Sequence, residues 1–209
     1  MDKMLVFISR PGAGKSYLIR RFLDKWSDFK LVNVFQYIKA VKDKYGRMPE
    51  VLNIEAYRKV YQDVVLKKGN IILELGTNYP EFNIEQLAGL SSTFQNTLRS
   101  WRRDEWIYNP SRRVQYPAVK VLDLSKRYNI TLIICLQDIE VCRKRCLNRI
   151  VQNKENKYSS LKTLEIRLKR PFPQKHKKLA MKFGIPYIEL DMRLPVEERL
   201  GIIEKRINI

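Results

Sequence analysis

The run Ser9-Arg10-Pro11-Gly12-Ala13-Gly14-Lys15-Ser16 sets two glycines, a lysine and a hydroxyl in an order suited to holding a polyphosphate. Gly12 and Gly14 allow a backbone approach that a side chain would block. Backbone N–H groups of the loop, Ala13 among them, and of the helix it opens can cradle phosphate oxygens. Lys15 is placed to reach β- and γ-phosphates, Ser16 to hold Mg²⁺, and Tyr17 follows as a further nucleotide contact. Ser9 departs from the strict G-x-x-x-x-G-K-S form. It is small and falls at a strand end rather than against the phosphates, so the departure is expected to be tolerated.

Three other groups carry chemistry. Glu74 sits in "IILELG", among strong strand formers, where a lone buried carboxylate is costly. It would order a metal's waters or accept a hydroxyl proton; a paired strand-end carboxylate is the plainer reading. "VCRKRCLNR" puts Arg145 and Arg149 four apart on one helix face, against the plainer reading of a solvated basic surface. Arg99, Trp101, Arg102, Arg103, Trp106, Tyr108, Arg112, Arg113 and Tyr116 interleave cations with aromatic faces, as binding of a single strand or a flipped base requires. Trp101 and Trp106 read equally well as core of that element.

Apolar periodicity supplies the frame for these residues. Strands are predicted at 4–8, 31–35, 70–76, 130–136 and 186–190, and helices at 15–26, 36–44, 54–67, 119–128, 138–152, 173–183 and 196–207. Asp138 is the expected N-cap of the helix it begins. A short helical piece is expected at 164–169. Residues 76–117 read less clearly, with helix-like spacing around 84–103. Strands alternating with helices mean an α/β domain with a mostly parallel sheet and helices on both faces. Ligands in such sheets bind beyond the carboxyl ends of the strands, which selects the residues after Ile8, Phe35, Leu73, Leu136 and Leu190.

The chain has 209 residues, length for one domain with a real core, and its 44% apolar content argues against disorder. No apolar run approaches the roughly 18 residues that span a membrane, and the start reads as a buried strand rather than a signal peptide, so a cytoplasmic protein is expected. Cys135, Cys142 and Cys146 with the single His176 do not make a zinc pattern; they read as small apolar residues on buried faces. Lys and Arg number 41 against 22 Asp and Glu, a net charge of +19. A field of that sign draws in polyanions. A lysine-rich background composition would give the same sign, but arginine is here nearly as frequent as lysine.

The strand–loop–helix start, the strand ending in Glu74, "VCRKRCLNR" and the closing "IPYIELD" together resemble the P-loop kinases, the superfamily of nucleoside monophosphate and polynucleotide kinases. The resemblance implies a five-stranded sheet of order 2-3-1-4-5, ATP and Mg²⁺ as cofactors, and one domain over 1–209. It also implies a lid over 138–172 in which Arg145 and Arg149 close on the phosphates, Arg143 lying off that spacing and Arg167 and Arg170 extending it. Residues 77–118 form an insertion without counterpart. Polynucleotide kinases place an aspartate after the second strand. Here "FQYIKAVKD" has no acid before Asp43, which tilts the reading away from 5′-hydroxyl ends.

The function expected is ATP-dependent phosphoryl transfer to a hydroxyl near Glu74, with nucleic acid, DNA favoured, as acceptor: a modified base such as 5-hydroxymethyluracil, or a 5′-hydroxyl end. Lys175, Lys177 and Lys178 are general polyanion contacts or solvated surface. Two alternatives stand beside it: a nucleoside monophosphate or small-metabolite kinase, and a nucleic-acid-binding NTPase with no acceptor.

Overall fold

The computed structural model of the chain describes residues 1–33, 36–37, 39–40, 69–76, 99–101, 108–113, 128–152, 161–169, 171–182 and 184–208. Its strands are β1 (Asp2–Ser9), β2 (Lys30–Asn33), β3 (Ile71–Gly76), β4 (Arg99–Trp101), β5 (Tyr108–Arg113), β6 (Tyr128–Leu136) and β7 (Tyr187–Asp191). Its helices are α1 (Lys15–Lys25), α2 (Ile139–Gln152), α3 (Leu161–Leu168), α4 (Gln174–Lys182) and α5 (Val196–Ile207).

Five strands form one parallel sheet in the order β2-β3-β1-β6-β7. Counting only these strands along the chain, this is the expected 2-3-1-4-5. β1 lies at the centre, laddered to β3 from Met4↔Ile71 to Ser9↔Gly76 and to β6 from Asp2↔Tyr128 to Ser9↔Cys135. Successive β1 residues point to opposite faces, and Met4 through Ile8 are all buried. Both faces of the sheet are therefore covered, which is why β1 and β6 read as near-continuous apolar runs rather than alternating ones.

One face is closed by α1 and α5. Leu5, Phe7, Ile72, Ile133 and Leu190 of the sheet pack with Leu18, Ile19 and Phe22 of α1 and Leu200, Ile203 and Ile207 of α5. Phe22 meets Phe7, Trp26 and Phe29 at ring separations of 6.4, 4.4 and 5.1 Å. A smaller cluster joins Ala13 of the loop to Cys142 and Cys146 of α2 and Leu164 and Leu168 of α3. The two helical cysteines are thus buried apolar residues, as their spacing suggested. Asp138 caps α2, its Oδ1 accepting from the N–H groups of Glu140 at 2.7 Å and Val141 at 3.2 Å.

One expectation needs correction. Helix-like spacing ran across 84–103, yet Arg99–Trp101 is a strand, antiparallel to Tyr108–Arg113 with Trp101 opposite Tyr108. Backbone pairing between the two segments overrides the local helical spacing there. The helix expected at 54–67 lies outside the described residues, as do Asp43 and 119–127 of the helix expected at 119–128, whose last residue, Tyr128, instead begins β6 as part of its hydrogen-bonded ladder with β1. No helix among the described residues is long and apolar enough to cross a membrane.

Candidate active site

The loop between β1 and α1 leaves the centre of the sheet at the carboxyl ends of the strands. Ser9 is not part of its concave turn. It is the last residue of β1, buried, and laddered to Gly76 on one side and Cys135 on the other. The usual first glycine is unnecessary here because this position has extended strand backbone, which any residue adopts.

The two remaining glycines are required, for different reasons. Gly12 has φ +83°, and a methyl group added there would overlap the Cys142 carbonyl oxygen and stand 3.0 Å from Cys146 Sγ. Gly14 has φ +93° and forms the N-cap of α1 with no side-chain cap. A methyl group there would have 3.6 Å to both Arg145 Nη1 and Met192 Cε, so only its dihedral demands glycine. α1 has no acidic residue in its first turn. Its positive end is left for an anion.

Lys15, Ser16 and Glu74 converge at this end of α1. Ser16 Oγ donates to Glu74 Oε1 at 2.6 Å, and Lys15 Nζ lies 3.5 Å from the same oxygen. The Lys15 and Glu74 side chains are 11% and 10% exposed. β3 positions the carboxylate: Glu74 lies opposite Phe7 of β1 and Asn33 of β2, near the carboxyl end of the strand next to β1. Burial lowers the Lys15 pKa from its ordinary value, opposed by the Glu74 carboxylate. Burial also pushes the nearby Cys135 thiol up to about 12, so it stands neutral beside this pair.

The chemistry of these donors fits Mg²⁺. Magnesium takes hard oxygen ligands, keeps several waters, and binds through one or two carboxylates plus substrate phosphates rather than a full protein cage. One hydroxyl and one carboxylate in contact beside a side-chain-free anion cradle are such a set. Among the described residues no cluster of three or more His, Cys, Asp or Glu is available to hold a metal without help.

Arg145 reaches the loop from α2, its Nη1 lying 3.4 Å from the Gly12 carbonyl oxygen. Arg149 is exposed one turn further along. Arg143 turns elsewhere, as its place off the R-x-x-x-R spacing implied. It grips both Glu165 oxygens at 2.7 and 3.0 Å and also holds Glu140, joining α2 to α3. Tyr17 faces solvent, 54% exposed, while Ala13 is buried. Lys177 pairs with Glu189 at 2.6 Å, and Lys178 is exposed. Arg99, Trp101, Arg112 and Arg113 lie on the β4–β5 pair; Arg102, Arg103, Trp106 and Arg170 are outside the described residues.

Sequence reasoning missed Arg10. Its Nε donates to the Leu168 carbonyl at 3.0 Å and its Nη2 to the Phe172 carbonyl at 3.2 Å, with the guanidinium 5.4 Å from the centre of the Phe172 ring. It thereby caps the last turn of α3, whose carbonyls lack helical partners, and ties that turn to the phosphate loop. An arginine beside Pro11 in the loop was the available signal, but nothing local announces partners near residues 168–172. Arg10→Ala is expected to lower the unfolding free energy by about 2 kcal/mol, in line with loss of charge-assisted bonds to carbonyls that stay behind. Urea denaturation measures this, and a variant as stable as the parent would show that the tether contributes nothing.

No known protein-family profile and no curated protein sequence matches this chain. Solved structures do. A protein from Chloroflexus aurantiacus assigned as a kinase superposes with a TM-score of 0.60 at 14% identity, over 99% of this chain and 96% of the other. Shikimate kinase from Bacteroides thetaiotaomicron gives 0.55 at 13% identity, over 99% of each chain. A chain of the Pnkp1/Rnl/Hen1 RNA repair complex gives 0.52 at 15% identity, over 87% of this chain and 46% of that one. With the sheet order, the loop after its central strand and these superpositions, the chain has the fold of the P-loop kinases.

Proposed function

We propose that this protein is an ATP-dependent kinase that transfers the γ-phosphoryl group to a hydroxyl on a nucleic acid. The observation that carries the kinase reading is the convergence of Lys15, Ser16 and Glu74 below the Gly12–Gly14 turn. Phosphoryl transfer asks little covalent chemistry of a protein and much positioning and charge stabilisation. The loop N–H groups and the α1 terminus hold the phosphates in place. Lys15 offers an ammonium to the β- and γ-oxygens, and Arg145, already against the loop, neutralises charge that develops on the group in flight. Arg149, exposed one turn further along α2, adds a second cation. Ser16 and Glu74 are the side chains that would hold Mg²⁺, which would supply further charge neutralisation. Glu74 is also the carboxylate that would accept an acceptor hydroxyl's proton.

Glu74→Gln is expected to cost at least about 10²-fold in kcat if that carboxylate is the base. A near-normal rate removes it from the mechanism.

A polynucleotide acceptor is supported by the net charge of +19. A nucleoside monophosphate needs only a few arginines and leaves most of that charge without a task. The RNA repair complex among the similar folds is in keeping with this reading. Within it, a hydroxyl on a modified DNA base such as 5-hydroxymethyluracil suits the missing aspartate after β2 better than a 5′-hydroxyl end. The second reading, a small-metabolite or nucleotide kinase, is favoured by the superposition on shikimate kinase over nearly the full length of both chains.

Transfer from γ-labelled ATP with Mg²⁺ to a panel of acceptors tests both. The panel holds DNA with 5′-hydroxyl ends, 5′-phosphorylated DNA carrying hydroxymethyluracil, RNA, nucleoside monophosphates and shikimate. Label in a polynucleotide supports the first reading, and nuclease digestion then distinguishes an end from a base. Label only in a small molecule selects the second. Hydrolysis of ATP with no labelled acceptor would make the protein an NTPase instead.

A further inference from the structure

The positive charge is unevenly distributed. Residues 139–182 contain fourteen Lys and Arg against three Glu, a net of +11 out of +19 in about a fifth of the chain. Two of those three acids, Glu140 and Glu165, are both held by Arg143. One arginine therefore absorbs the carboxylates described in this region. Lys144, Arg145, Arg149 and Lys169 are exposed, and none has a carboxylate in ion-pair range among the described residues.

On α2 these cations share a side. Positions 144, 145, 148 and 149 are exposed together, while Cys142 and Cys146 face inward. Arg145 and Arg149 stand about 6 Å apart along the helix axis. The row begins at the phosphate loop, because Arg145 touches the Gly12 carbonyl. It is also fixed in place. Ala13 packs against α2 and α3, Arg143 ties α2 to α3, and Arg10 ties the end of α3 to the loop. The exposed cations are thus held in constant relation to the site of transfer.

A single nucleotide would leave the outer members of this row without a partner. A ligand whose charges repeat along a strand would not. We propose that the exposed side of α2, together with the turn after α3, holds a single-stranded polynucleotide by its phosphates, Lys144 and Lys169 contributing beyond the catalytic arginines. This rests on the polynucleotide-acceptor reading and moves the main contact from the β4–β5 element to α2 and Lys169 after α3.

The test uses a fluorescein-labelled single-stranded oligonucleotide, with anisotropy followed between about 50 and 200 mM salt. Each phosphate contact on a single strand contributes about 0.7 to the slope of log affinity against log salt. The double variant Lys144→Gln/Lys169→Gln is expected to lower the slope by about 1.4 and to weaken binding at low salt, with each single variant giving half. Its affinity for a fluorescent ATP analogue with Mg²⁺ should equal that of the parent. An unchanged slope overturns the proposal while leaving the acceptor reading standing. So does loss of all binding in Arg112→Gln/Arg113→Gln, which would return the interface to the β4–β5 element. A parent that binds the ATP analogue but no oligonucleotide overturns both, as does a parent that binds anionic phosphatidylserine vesicles and not the strand.

Discussion

Lys15→Ala is expected to abolish phosphoryl transfer, a loss of about 10³-fold or more. Two effects add. The ammonium that would meet the β- and γ-oxygens disappears from a site where Lys15 and Glu74 are each only about a tenth exposed, so water replaces it poorly. Glu74 also loses the cation 3.5 Å away, leaving a sparsely solvated carboxylate held by the Ser16 hydroxyl. That carboxylate would then repel the phosphates it should help to position. Single-turnover transfer from γ-labelled ATP measures the loss. A variant that transfers at the parental rate would sink the kinase assignment altogether.

Gly12→Ala is the second large effect, and its origin is steric. The backbone at φ +83° costs an alanine about 1–2 kcal/mol, and forcing a methyl group against the Cys142 carbonyl and Cys146 Sγ adds about 1–3 kcal/mol. Either the loop or the first turns of α2 must move. The phosphate cradle and Arg145 then separate, so affinity for MgATP is expected to fall by more than about 10-fold along with stability. Gly14→Ala serves as the control. There the nearest atoms are 3.6 Å away, so only the dihedral penalty applies. Urea denaturation and ATP-analogue titration of the two variants check the contrast; equal losses in both would mean that the wedge against α2 is unimportant.

Much of this architecture was legible in the sequence because the signals are local and strong. β1, β3 and β6 are apolar runs of strand length between breakers, and "PGAGKS" fixes a strand before it and a helix after it. The Asp138 cap and the inward cysteines follow from spacing alone. Strand order came from resemblance, since periodicity says nothing about which strands are neighbours. The β4 segment was misread because its polar and aromatic residues satisfy a helical spacing as easily as a strand. The contact of Ser16 with Glu74 spans 58 residues of chain, and that of Arg10 with Phe172 spans 162. Such pairs are made by the fold, and no window of sequence contains them. The same reason explains why Arg143 and Arg145, two residues apart, have different tasks: α2 turns one toward α3 and the other toward the loop.

The central position of β1 has a consequence for how the chain is made. β1 is made before either of its neighbours in the finished sheet and lacks both when it emerges. Its first partner arrives with Ile71–Gly76, its second only with Tyr128–Leu136. Ladders between such distant segments close large loops and form slowly. Throughout synthesis of the intervening chain, "MLVFI" is a short apolar strand with two bare edges, the kind of segment that associates with other chains. The Gly12–Gly14 loop is made long before Arg145 and Met192, which lie beside it. The loop therefore gains its full surroundings only after Met192 has been made, too late for a ligand held there to protect the bare strand before it.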